Sequence, residues 1–558
     1  MKLHTFFTSK LLLFTFLMAS SATLAQVRPQ YGVELSPAIN KQIEFQIKES
    51  LPLQASARGL TVRELRINRA MADFYQRRNY RQAWFGPHNI LKNNAISLLE
   101  YLQLSPYSHL AAADGLHDKI NLLQSYQHAE MGSQPSVSLV ASVDMALTRT
   151  FMRLGQINLN GVVSPEEVPG AGWFIPGRQA NLDLLLTKAL AAKDIAGELD
   201  SLLPRLKRYR QLNDHLLRLE QIARQGGWPV VPAEITEVEQ GDTSTAVPRL
   251  KVRLAITGDL AVDDGTSVYT ESLAVAVGVF QSRHGLKVDG KTGNNTLRTL
   301  NITVLERIAQ IKVNIERAKW LPDVSEGNAL VVNVPEYKLY YYRNGRVQEE
   351  HNVVVGTKKN KTVTFSSKLQ NIVLNPYWNV PVSIARNELV PKAERNSEYL
   401  QSRNYEIVSY GGGTVHPDQV EWSDPTLHNQ YRIRQRPGPG NALGTIKFNF
   451  PNQWAIYLHD TPSKSLFKNA YRAYSHGCIR VEDPVELAST LLQGHPAMQE
   501  KSLWNMMSSG DTQTIMANNP VDVHLIYMTA WVDDAGMLHL REDIYKHDAA
   551  IASKLPTT

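Results

Sequence analysis

The sequence predicts a multidomain α+β protein, in which helical N-terminal regions precede a mostly β C-terminal domain. Three observations support this prediction. The chain has 558 residues, enough for about three or four domains at roughly 150 residues each. Between residues 61 and 227, apolar residues recur at three- and four-residue spacing, which is typical of helices that bury one face. From Ala329 onward the apolar residues alternate instead, which is typical of strands.

The first 25 residues have the order of a secretory signal peptide. Lys2 and Lys10 supply positive charge, residues 11–18 are almost wholly apolar, and small residues lead to Ala25. The apolar stretch is shorter than the roughly 20 residues that a membrane-spanning helix needs. We therefore expect export and removal of residues 1–25, with an uncleaved leader associated with the inner membrane as the alternative.

Composition and charge are those of a soluble globular protein with a basic surface. Hydrophobic residues make up 43% of the chain and charged residues 20%. The net charge is +6, and it remains +4 without Lys2 and Lys10. This balance is compatible with an anionic polymer, anionic lipid or nucleic acid as partner, and equally with a basic surface that has no partner. The sequence lacks a lysine-arginine run and zinc-finger spacing, so nucleic acid is disfavoured.

Residues 26–246 are predicted to form a helical scaffold domain with a linker at its end. Residues 26–60 resemble a loosely ordered lead-in, and Thr61 is a candidate cap for the first amphipathic helix. The last of these helices stops at Gly226, and the proline-rich residues 229–246 indicate a linker. A scaffold without chemistry of its own is the preferred interpretation.

Residues 247–303 are predicted to form a compact unit of short helices. Asp289, Gly290 and Gly293 suit a tight chain reversal between two amphipathic stretches. This pattern resembles the small three-helix peptidoglycan-binding module of many wall enzymes. The resemblance implies binding of glycan or stem peptide, with a spacer role as the alternative. Residues 304–327 are predicted to be a connecting helix.

Residues 328–545 are predicted to form a mostly β domain, followed by a C-terminal tail at residues 546–558. The Asn-Gly pair at residues 344–345 predicts a tight hairpin, and residues 533–536 predict a closing one. Residues 386–445 interrupt the strands: Glu388 to Tyr399 are predicted to be helical, and a long, irregular excursion that contains glycines and prolines follows. Long loops in compact domains are often functional, so we expect a capping lid beside the active site.

The one cysteine of the chain, Cys478, lies in the run Ser-His-Gly-Cys-Ile-Arg. A single thiol cannot form an internal disulfide, although exported proteins usually pair their thiols. His459 lies nineteen residues upstream, at the end of an apolar run. A thiol attacks a carbonyl as its thiolate, so a neighbouring base or cation must lower its pKa. We therefore expect Cys478 to be a nucleophile and His459 its base, because His476 is too near in the chain to meet the sulfur head-on.

Other residues of the same run suggest supporting roles. Gly477 permits a tight backbone, so its N–H and that of Cys478 are candidates to face a developing oxyanion, with Ser475 and His476 as supporting neighbours. Arg480 offers a fixed cation for a substrate carboxylate.

These residues resemble the L,D-transpeptidases with a YkuD-type catalytic domain. His459, fifteen intervening residues and the run beginning at Ser475 match the signature of that family. The order of leader, helical scaffold, binding module and catalytic domain is similar to the large YcbB (LdtD) branch. Four further segments are also similar to that branch: residues 375–381, 438–444, 447–451 and 457–462.

The resemblance implies an acyl transfer on the bacterial cell wall, in the periplasm. Cys478 would attack the carbonyl of the third stem residue, a diaminopimelate, and expel the terminal D-alanine. The side-chain amine of a neighbouring diaminopimelate would then resolve the thioester and give a 3→3 cross-link. His459 would accept the thiol proton and later serve the amines, oriented by a third group that is often a backbone carbonyl.

The resemblance also implies substrate contacts, partners and an inhibitor class. Trp378 and Tyr457 lie in the matching segments and are candidate substrate-binding residues. Close relatives can carry serine where this chain has His476, which favours a supporting role for it. Peptidoglycan stem peptides are the expected partners, along with other cell-wall synthases, and the family suggests acylation by carbapenems. The implied processes are cell-wall biogenesis and maintenance of cell shape.

Three alternatives remain open from the sequence. The same thioester could pass to water, as in an L,D-carboxypeptidase or a cysteine endopeptidase. A wall-binding scaffold without catalysis would use only the binding module. Metal catalysis is disfavoured, since the sixteen histidines include no H-E-x-x-H and no paired-cysteine spacing exists. We expect no metal and no cofactor.

Overall fold

A computed structural model describes residues 37–51, 59–104, 115–128, 135–168, 170, 172–204, 207–396, 398–424, 426–500 and 502–555. The predicted leader lies outside these residues. The described chain divides into two compact units. The first comprises the described parts of Met1–Ser164 and Gly177–Arg205, and the second those of Pro165–Pro176 and Leu206–Thr558. No helix within these described parts is long and apolar enough to cross a membrane.

The first unit is helical, as predicted. Its helices are α1 Pro37–Ser50, α2 Val62–Arg77, α3 Asn93–Leu104, α4 Leu116–His128, α5 Val137–Asn160, α6 Leu182–Ala192 and α7 Ile195–Asp200. Thr61 caps α2 through a reciprocal capping box with Glu64, which confirms the predicted start. The predicted lead-in is wrong where α1 forms, because Ile43 and Ile47 are buried in the core of this unit.

A buried carboxylate ties three parts of the first unit together. Asp144 on α5 accepts hydrogen bonds from the Tyr75 hydroxyl at 2.7 Å, the Ala83 N–H at 2.8 Å and the Trp84 N–H at 2.9 Å. Burial raises the pKa of Asp144, and these hydrogen bonds oppose the rise. The charge is therefore tolerated only because its oxygens are satisfied.

The second unit begins with helices α8 Lys207–Arg224, α9 Val247–Thr257, α10 Glu271–Arg283, α11 Asn294–Leu300 and α12 Val304–Trp320. Helices α9 to α11 form the predicted three-helix module. The predicted linker before it is wrong, because Val231 and Ile235 are buried in the core of the module. Asn301 fixes that segment by exchanging two hydrogen bonds of 2.9 Å with the backbone of Val231.

The second unit is rich in strands, as the sequence predicts; some of them alternate between buried and more exposed residues, whereas others are buried almost throughout. They are β1 Asn328–Asn333, β2 Lys338–Arg343, β3 Arg346–Gly356, β4 Ser366–Lys368, β5 Asn371–Leu374, β6 Trp378–Asn379, β7 Tyr405–Ser409, β8 Thr414–Val415, β9 Tyr431–Gln435, β10 Ile446–Asn449, β11 Leu458–His459, β12 Ala473–Ser475, β13 Ile479–Val481, β14 Gln513–Met516, β15 Val521–Ile526, β16 Ala530–Val532 and β17 Leu538–Leu540. Asn344 and Gly345 both have positive φ, which confirms the predicted tight hairpin between β2 and β3.

Eleven strands form the main sheet, in the order β14-β5-β10-β11-β13-β3-β2-β1-β15-β4, with β12 paired to β3. Most neighbours are antiparallel, but β1 runs parallel to β15, β11 to β13 and β12 to β3. This arrangement places the ends of β11 and β12 and the start of β13 next to one another. The sheet thereby gathers the two segments that carry the predicted nucleophile and base.

The predicted lid is a folded insertion: its first part is helical, as predicted, but the stretch expected to be irregular contains strands. Strands β6 to β9 form a separate four-stranded sheet in the order β6-β9-β7-β8. Helices α13 Val382–Ile384, α14 Val390–Arg395, α15 Glu398–Ser402 and α16 Leu427–Gln430 accompany it, with a π-helical turn at Ala385–Leu389. Leu389, Leu400, Ile407 and Ile433 belong to its own apolar core. The sequence does not reveal this fold, because the few residues that become buried are separated by stretches that contain glycine and proline.

Two predicted boundaries differ from the structure. Helix α8 was assigned to the scaffold, yet Leu212 packs with Ile311 of α12 and with the β16–β17 hairpin in one core of the second unit. The last helices of the chain are α17 Pro484–Leu491, α18 Ala497–Glu500, α19 Leu503–Ser508 and α20 Asp548–Ala552. The predicted tail thus contains α20, where Asp548 pairs with buried Arg317 at 2.5 Å.

Candidate active site

Three neighbouring strands of the main sheet place the candidate residues on one face. The register pairs Lys447 of β10 with His459 of β11, and His459 with Arg480 of β13. Paired side chains point to the same face of a sheet. Cys478 lies two residues before Arg480 and beside Tyr457 on the neighbouring strand. His459 and Cys478 are therefore diagonal neighbours on adjacent strands. Such residues are about 7–8 Å apart at their Cα atoms, a distance that an aromatic side chain such as imidazole can span.

The turn that carries the nucleophile is held by hydrogen bonds. The Ser475 hydroxyl donates to the Cys478 carbonyl at 2.5 Å and accepts from the Gly477 N–H at 3.1 Å. The Thr362 hydroxyl donates to the Gly477 carbonyl at 2.8 Å. Gly477 has φ +114°, a conformation that favours glycine. The expectation that the Gly477 N–H faces an oxyanion is wrong for this structure, because Ser475 already occupies that N–H.

The thiol faces a loop with an unusual backbone conformation. Cys478 Sγ lies 3.7 Å from the Ala455 carbonyl, to which the thiol donates a hydrogen bond. Ala455 has φ +53°, which is uncommon for a residue with a side chain. Asn452 fixes this loop, since its amide accepts from the Trp454 N–H at 3.1 Å and the Ile456 N–H at 3.0 Å. Sequence reasoning missed this loop, because nothing in its residue types marks the contact.

Burial disfavours the charged forms of both the thiol and the imidazole. Burial raises the pKa of Cys478 above its ordinary value of 9.0, although hydrogen bonds from Tyr457 and the charges of Lys447 and Arg480 oppose the rise. Burial also lowers the pKa of His459 to about 3, and the charge of Arg480 lowers it further. The nearby cations act in the predicted direction on the pKa of Cys478, but burial acts against them and has the larger effect.

Asp460 follows the candidate base, but its carboxylate is directed elsewhere. One oxygen accepts from Lys464 Nζ at 2.7 Å and the other from the Thr445 N–H at 2.9 Å. Among the described residues, no group makes a hydrogen bond of good geometry to His459 Nδ1, which is buried. The backbone of Asp460 nevertheless raises the pKa of His459. A backbone carbonyl is therefore the better candidate for orienting the ring than the carboxylate.

A cavity of about 1080 Å³ opens over this face. Its walls come from the main sheet on one side and from the folded insertion on the other. Seven of the eight residues predicted for the site line it: Trp378, Tyr457, His459, Ser475, His476, Cys478 and Arg480. Gly477 lies behind the lining. The structure thus brings the predicted residues together in one place.

Two cations lie on the sheet face that carries the candidate residues, and one of them, Arg480, lines the cavity. Arg480 Nε is buried and has no hydrogen-bond partner within the described parts of the chain. Lys447 lies with its Nζ 4.1 Å from the centre of the Tyr457 ring. Burial lowers the pKa of both groups, while the negative form of Cys478 would raise it. Sequence reasoning missed Lys447. Because Lys447 alternates with Phe448 on β10, it is expected on the face of the sheet opposite the core.

The insertion supplies a carboxylate to the other side of the nucleophile. His476 Nε2 lies 2.9 Å from Glu388 Oε1, and both side chains line the cavity. Glu388 belongs to the π-helical turn Ala385–Leu389. Sequence reasoning also missed Glu388, since the fold of the insertion determines which of its residues face the cavity.

A group of ligand-type side chains meets outside the cavity. Atoms of His351, Asp483 and Glu486 lie within 4.8 Å of one another. His351 Nε2 is already 3.1 Å from Glu349. None of these residues lines the cavity, so this group has no part in the chemistry of the thiol.

Three parts of the chain match known protein families. Residues 327–498 match the L,D-transpeptidase catalytic domain (YkuD), residues 69–216 match the Scaffold domain, and residues 243–300 match the "Putative peptidoglycan binding domain". The predicted resemblance to YkuD-type L,D-transpeptidases and the predicted fold class are confirmed. Assignment to the YcbB branch stays a prediction.

One curated relative covers part of the chain. The Haemophilus influenzae protein named "Putative L,D-transpeptidase" is 39% identical over 243 residues, which is 43% of this chain and 48% of that protein. The chain therefore matches about half the length of this relative.

Two solved structures of L,D-transpeptidases also align with the chain. The one from Stackebrandtia nassauensis has 14% identity, covers 52% of this chain and 95% of its own, and gives a TM-score of 0.22. The one from Xylanimonas cellulosilytica has 16% identity, covers 53% and 98%, and gives 0.16. These scores are too low to support an argument from the superposition.

Proposed function

We propose that this protein, which carries a YkuD-type L,D-transpeptidase catalytic domain, a peptidoglycan-binding domain and a scaffold domain, forms 3→3 cross-links through a thioester on Cys478. The observation that supports the proposal is the position of the one cysteine. Its thiol lines a large cavity together with His459 and Arg480, on the face that also carries Lys447.

The first half-reaction acylates the thiol. The donor tetrapeptide stem places a carboxylate near Arg480 and Lys447, which lack an acidic partner in the cavity lining beside them. Since the resting thiol is protonated, its proton passes to His459 as sulfur bonds to the carbonyl carbon of diaminopimelate. The Cys478 N–H is the candidate donor to the oxyanion. His459 then protonates the departing D-alanine amine, and the thioester remains.

The second half-reaction decides between two activities. Attack by the side-chain amine of another diaminopimelate gives the cross-link. Attack by water gives a tripeptide, which is the product of an L,D-carboxypeptidase. The cavity of about 1080 Å³ favours the cross-link, because a volume of this size is large enough to admit a second stem peptide beside the first.

The remaining domains and the leader suggest where this reaction takes place. We propose that the domain at residues 243–300 binds the wall polymer and that the leader directs export to the periplasm. Carbapenems are proposed inhibitors, because Cys478 can open a strained lactam carbonyl in the same way as it attacks a stem peptide. Membership of the YcbB branch and cooperation with other wall synthases belong to the same proposal.

The test uses the full chain and purified disaccharide-tetrapeptides. We expect mass spectrometry to detect a thioester on the protein and 3→3 dimers among the products. Cys478→Ala should abolish both, whereas Ser489→Ala, a similar small change on helix α17 outside the cavity lining, should keep them. Dimers formed at the normal yield by Cys478→Ala would refute the mechanism. Tripeptide without dimer would support the hydrolase instead, and no turnover with wall binding would support a scaffold.

A further inference from the structure

The pair formed by His476 and Glu388 lies where a second substrate must arrive. His476 is two residues from the nucleophile, and Glu388 comes from the insertion on the opposite wall. Their side chains are 48% and 45% exposed, so water and solutes in the cavity reach both. An ion pair this exposed contributes little to stability. The stability of the fold therefore does not explain why this pair lies beside Cys478.

The geometry of the pair prepares the histidine to accept a proton. His476 Nε2 lies 2.9 Å from Glu388 Oε1, so in its neutral form the ring carries its hydrogen on Nε2 and donates it to the carboxylate. Nδ1 then has a free lone pair. A carboxylate that fixes the tautomer in this way determines which nitrogen of the ring can accept a proton.

The sheet side of the site carries cations, whereas the insertion side carries both signs of charge, since Arg386 and Arg432 line the cavity there together with carboxylates. Arg480 and Lys447 lie on the sheet side. Two carboxylates are found among the described lining residues, Glu388 and Asp424. Asp424 is already engaged, because its oxygens accept from the Thr426 N–H at 2.7 Å and from the Gln430 amide at 3.0 Å. Glu388 is therefore the carboxylate that an arriving cation meets nearest the thiol.

His459 is poorly placed for the same task. It is 5% exposed, and burial holds its pKa at about 3. A base so deep in the site can serve the sulfur beside it. A nitrogen that approaches from the solvent side meets His476 first.

We propose that Glu388 and His476 form a subsite for the primary amine of the acyl acceptor, in which Glu388 binds the ammonium ion and His476 removes its proton. This inference rests on the proposed function, since it concerns the second half-reaction at the same thiol. It divides the proton transfers between two histidines, with His459 acting on the thiol and the leaving amine and His476 acting on the attacking amine.

The steps balance without another reagent. The acceptor enters as an ammonium ion, and one proton passes from nitrogen to His476 Nδ1 and then to water. The free amine forms a bond from nitrogen to the thioester carbonyl carbon. The carbon–sulfur bond breaks and its electron pair stays on sulfur. The second nitrogen proton passes through His476 to Cys478, which restores the thiol and leaves an amide.

The experiment measures the two half-reactions separately in the full chain. Acylation by the tetrapeptide donor is followed as thioester formation by intact mass. The acceptor is an isotopically labelled disaccharide-tripeptide, so that labelled 3→3 dimer is distinguished from the unlabelled tripeptide released by water. The ratio of dimer to unlabelled tripeptide reports how well the amine competes for the thioester.

His476→Gln is the informative variant, because glutamine keeps a donor towards Glu388 and has no titratable nitrogen. We expect the dimer-to-tripeptide ratio to fall at least about tenfold more than the rate of acylation, since a general base contributes about 10²–10⁴-fold. Glu388→Gln keeps the hydrogen bond and removes the charge. It should raise the acceptor concentration needed for half-maximal cross-linking at least about fivefold.

The chain offers matched controls in the same insertion. His416 and Asp418 form another exposed pair, 3.3 Å apart, and neither lines the cavity. His416→Gln and Glu394→Gln should leave the product ratio as in the natural chain. A ratio within twofold of that value in His476→Gln, or an equal loss of acylation and aminolysis, would overturn the subsite. If the natural chain forms no thioester at all, the proposed function fails and the subsite fails with it.

Discussion

Replacing His459 by alanine tests the protonation state of the resting site. The pKa of the Cys478 thiol lies above 9.0 and that of the His459 imidazole at about 3. Before the attraction between thiolate and imidazolium is counted, moving the proton from sulfur to nitrogen in the empty site therefore crosses a gap of about six pKa units, or about 8 kcal/mol. The thiol is partly exposed to the cavity, and screening by water there reduces the cost. Even if only about half of this free-energy cost remains, the thiolate–imidazolium pair makes up roughly one part in a thousand of the resting sites.

Alkylation by iodoacetamide reports the thiolate directly, because the thiolate is the reactive form. With intact mass as the readout, we expect the rate in the natural chain to rise about tenfold per pH unit from pH 6 to pH 9. His459→Ala should give a profile of the same shape, with an apparent pKa within about one unit of the natural one. His416→Ala, in the insertion and away from the cavity lining, controls for general effects of losing an imidazole.

The opposite result is distinctive. A stable thiolate–imidazolium pair would give a rate that is level from about pH 5 to pH 8 in the natural chain and that falls steeply in His459→Ala. That outcome would refute the neutral resting pair and with it the transfer of the thiol proton during attack.

Three further predictions concern stability and geometry. Asp144→Ala leaves the buried N–H groups of Ala83 and Trp84 without an acceptor and removes one of two partners of the Tyr75 hydroxyl, so the free energy of unfolding from urea denaturation should fall by about 3 kcal/mol or more. Gly477→Ala strains a residue at φ +114° by about 1–3 kcal/mol, and thioester formation should slow at least about tenfold. Burial keeps His459 and His284 uncharged when folded, with pKa values below the ordinary 6.5. The unfolded chain therefore binds more protons, so the thermal midpoint should fall as the pH drops below about 6.5.

Each of these predictions has a contrary outcome, and each of the two substitutions has a control. Ser142→Ala changes the same helix as Asp144 without removing a buried charge. Gly440→Ala adds a Cβ where no atom lies within 4 Å and φ is not positive. A loss below about 1 kcal/mol in Asp144→Ala, natural acylation in Gly477→Ala, or a midpoint that rises on acidification would contradict the respective argument.

The sequence predicted what local patterns determine. Thr61 and Glu64 are close in the chain, so the capping box needed no knowledge of tertiary structure. The same holds for the Asn-Gly hairpin at residues 344–345. Cys478 and His459 were identified because few residue types perform nucleophilic and base chemistry, and the chain has one cysteine.

The remaining features depend on long-range arrangement. Lys447 joins the site only through the register of β10 with β11. Glu388 faces the cavity only because the insertion folds around its own core. The raised pKa of Cys478 follows from burial, which is a property of the assembled site rather than of its residues. Proline-rich residues 229–246 suggested a linker, since the sequence does not show that Val231 and Ile235 find a core.

The unit that shapes the site is larger than the catalytic domain that the sequence defines. Pro165–Pro176 belongs to the second unit although the chain on both sides of it belongs to the first. In this segment the Phe174 ring lies 5.0 Å from that of Trp454, the residue before Ala455. The Phe174 N–H also donates to the Thr364 carbonyl at 2.9 Å.

This segment acts on both loops that hold the thiol. Trp454 belongs to the loop whose Ala455 carbonyl receives the Cys478 hydrogen bond. Thr364 follows two residues after Thr362, whose hydroxyl holds the Gly477 carbonyl. The family match spans residues 327–498 and therefore omits a segment that packs against the surroundings of the nucleophile. The position of the thiol thus depends on residues more than 150 positions before the matched domain begins, and the chemistry of the site belongs to the second unit as a whole.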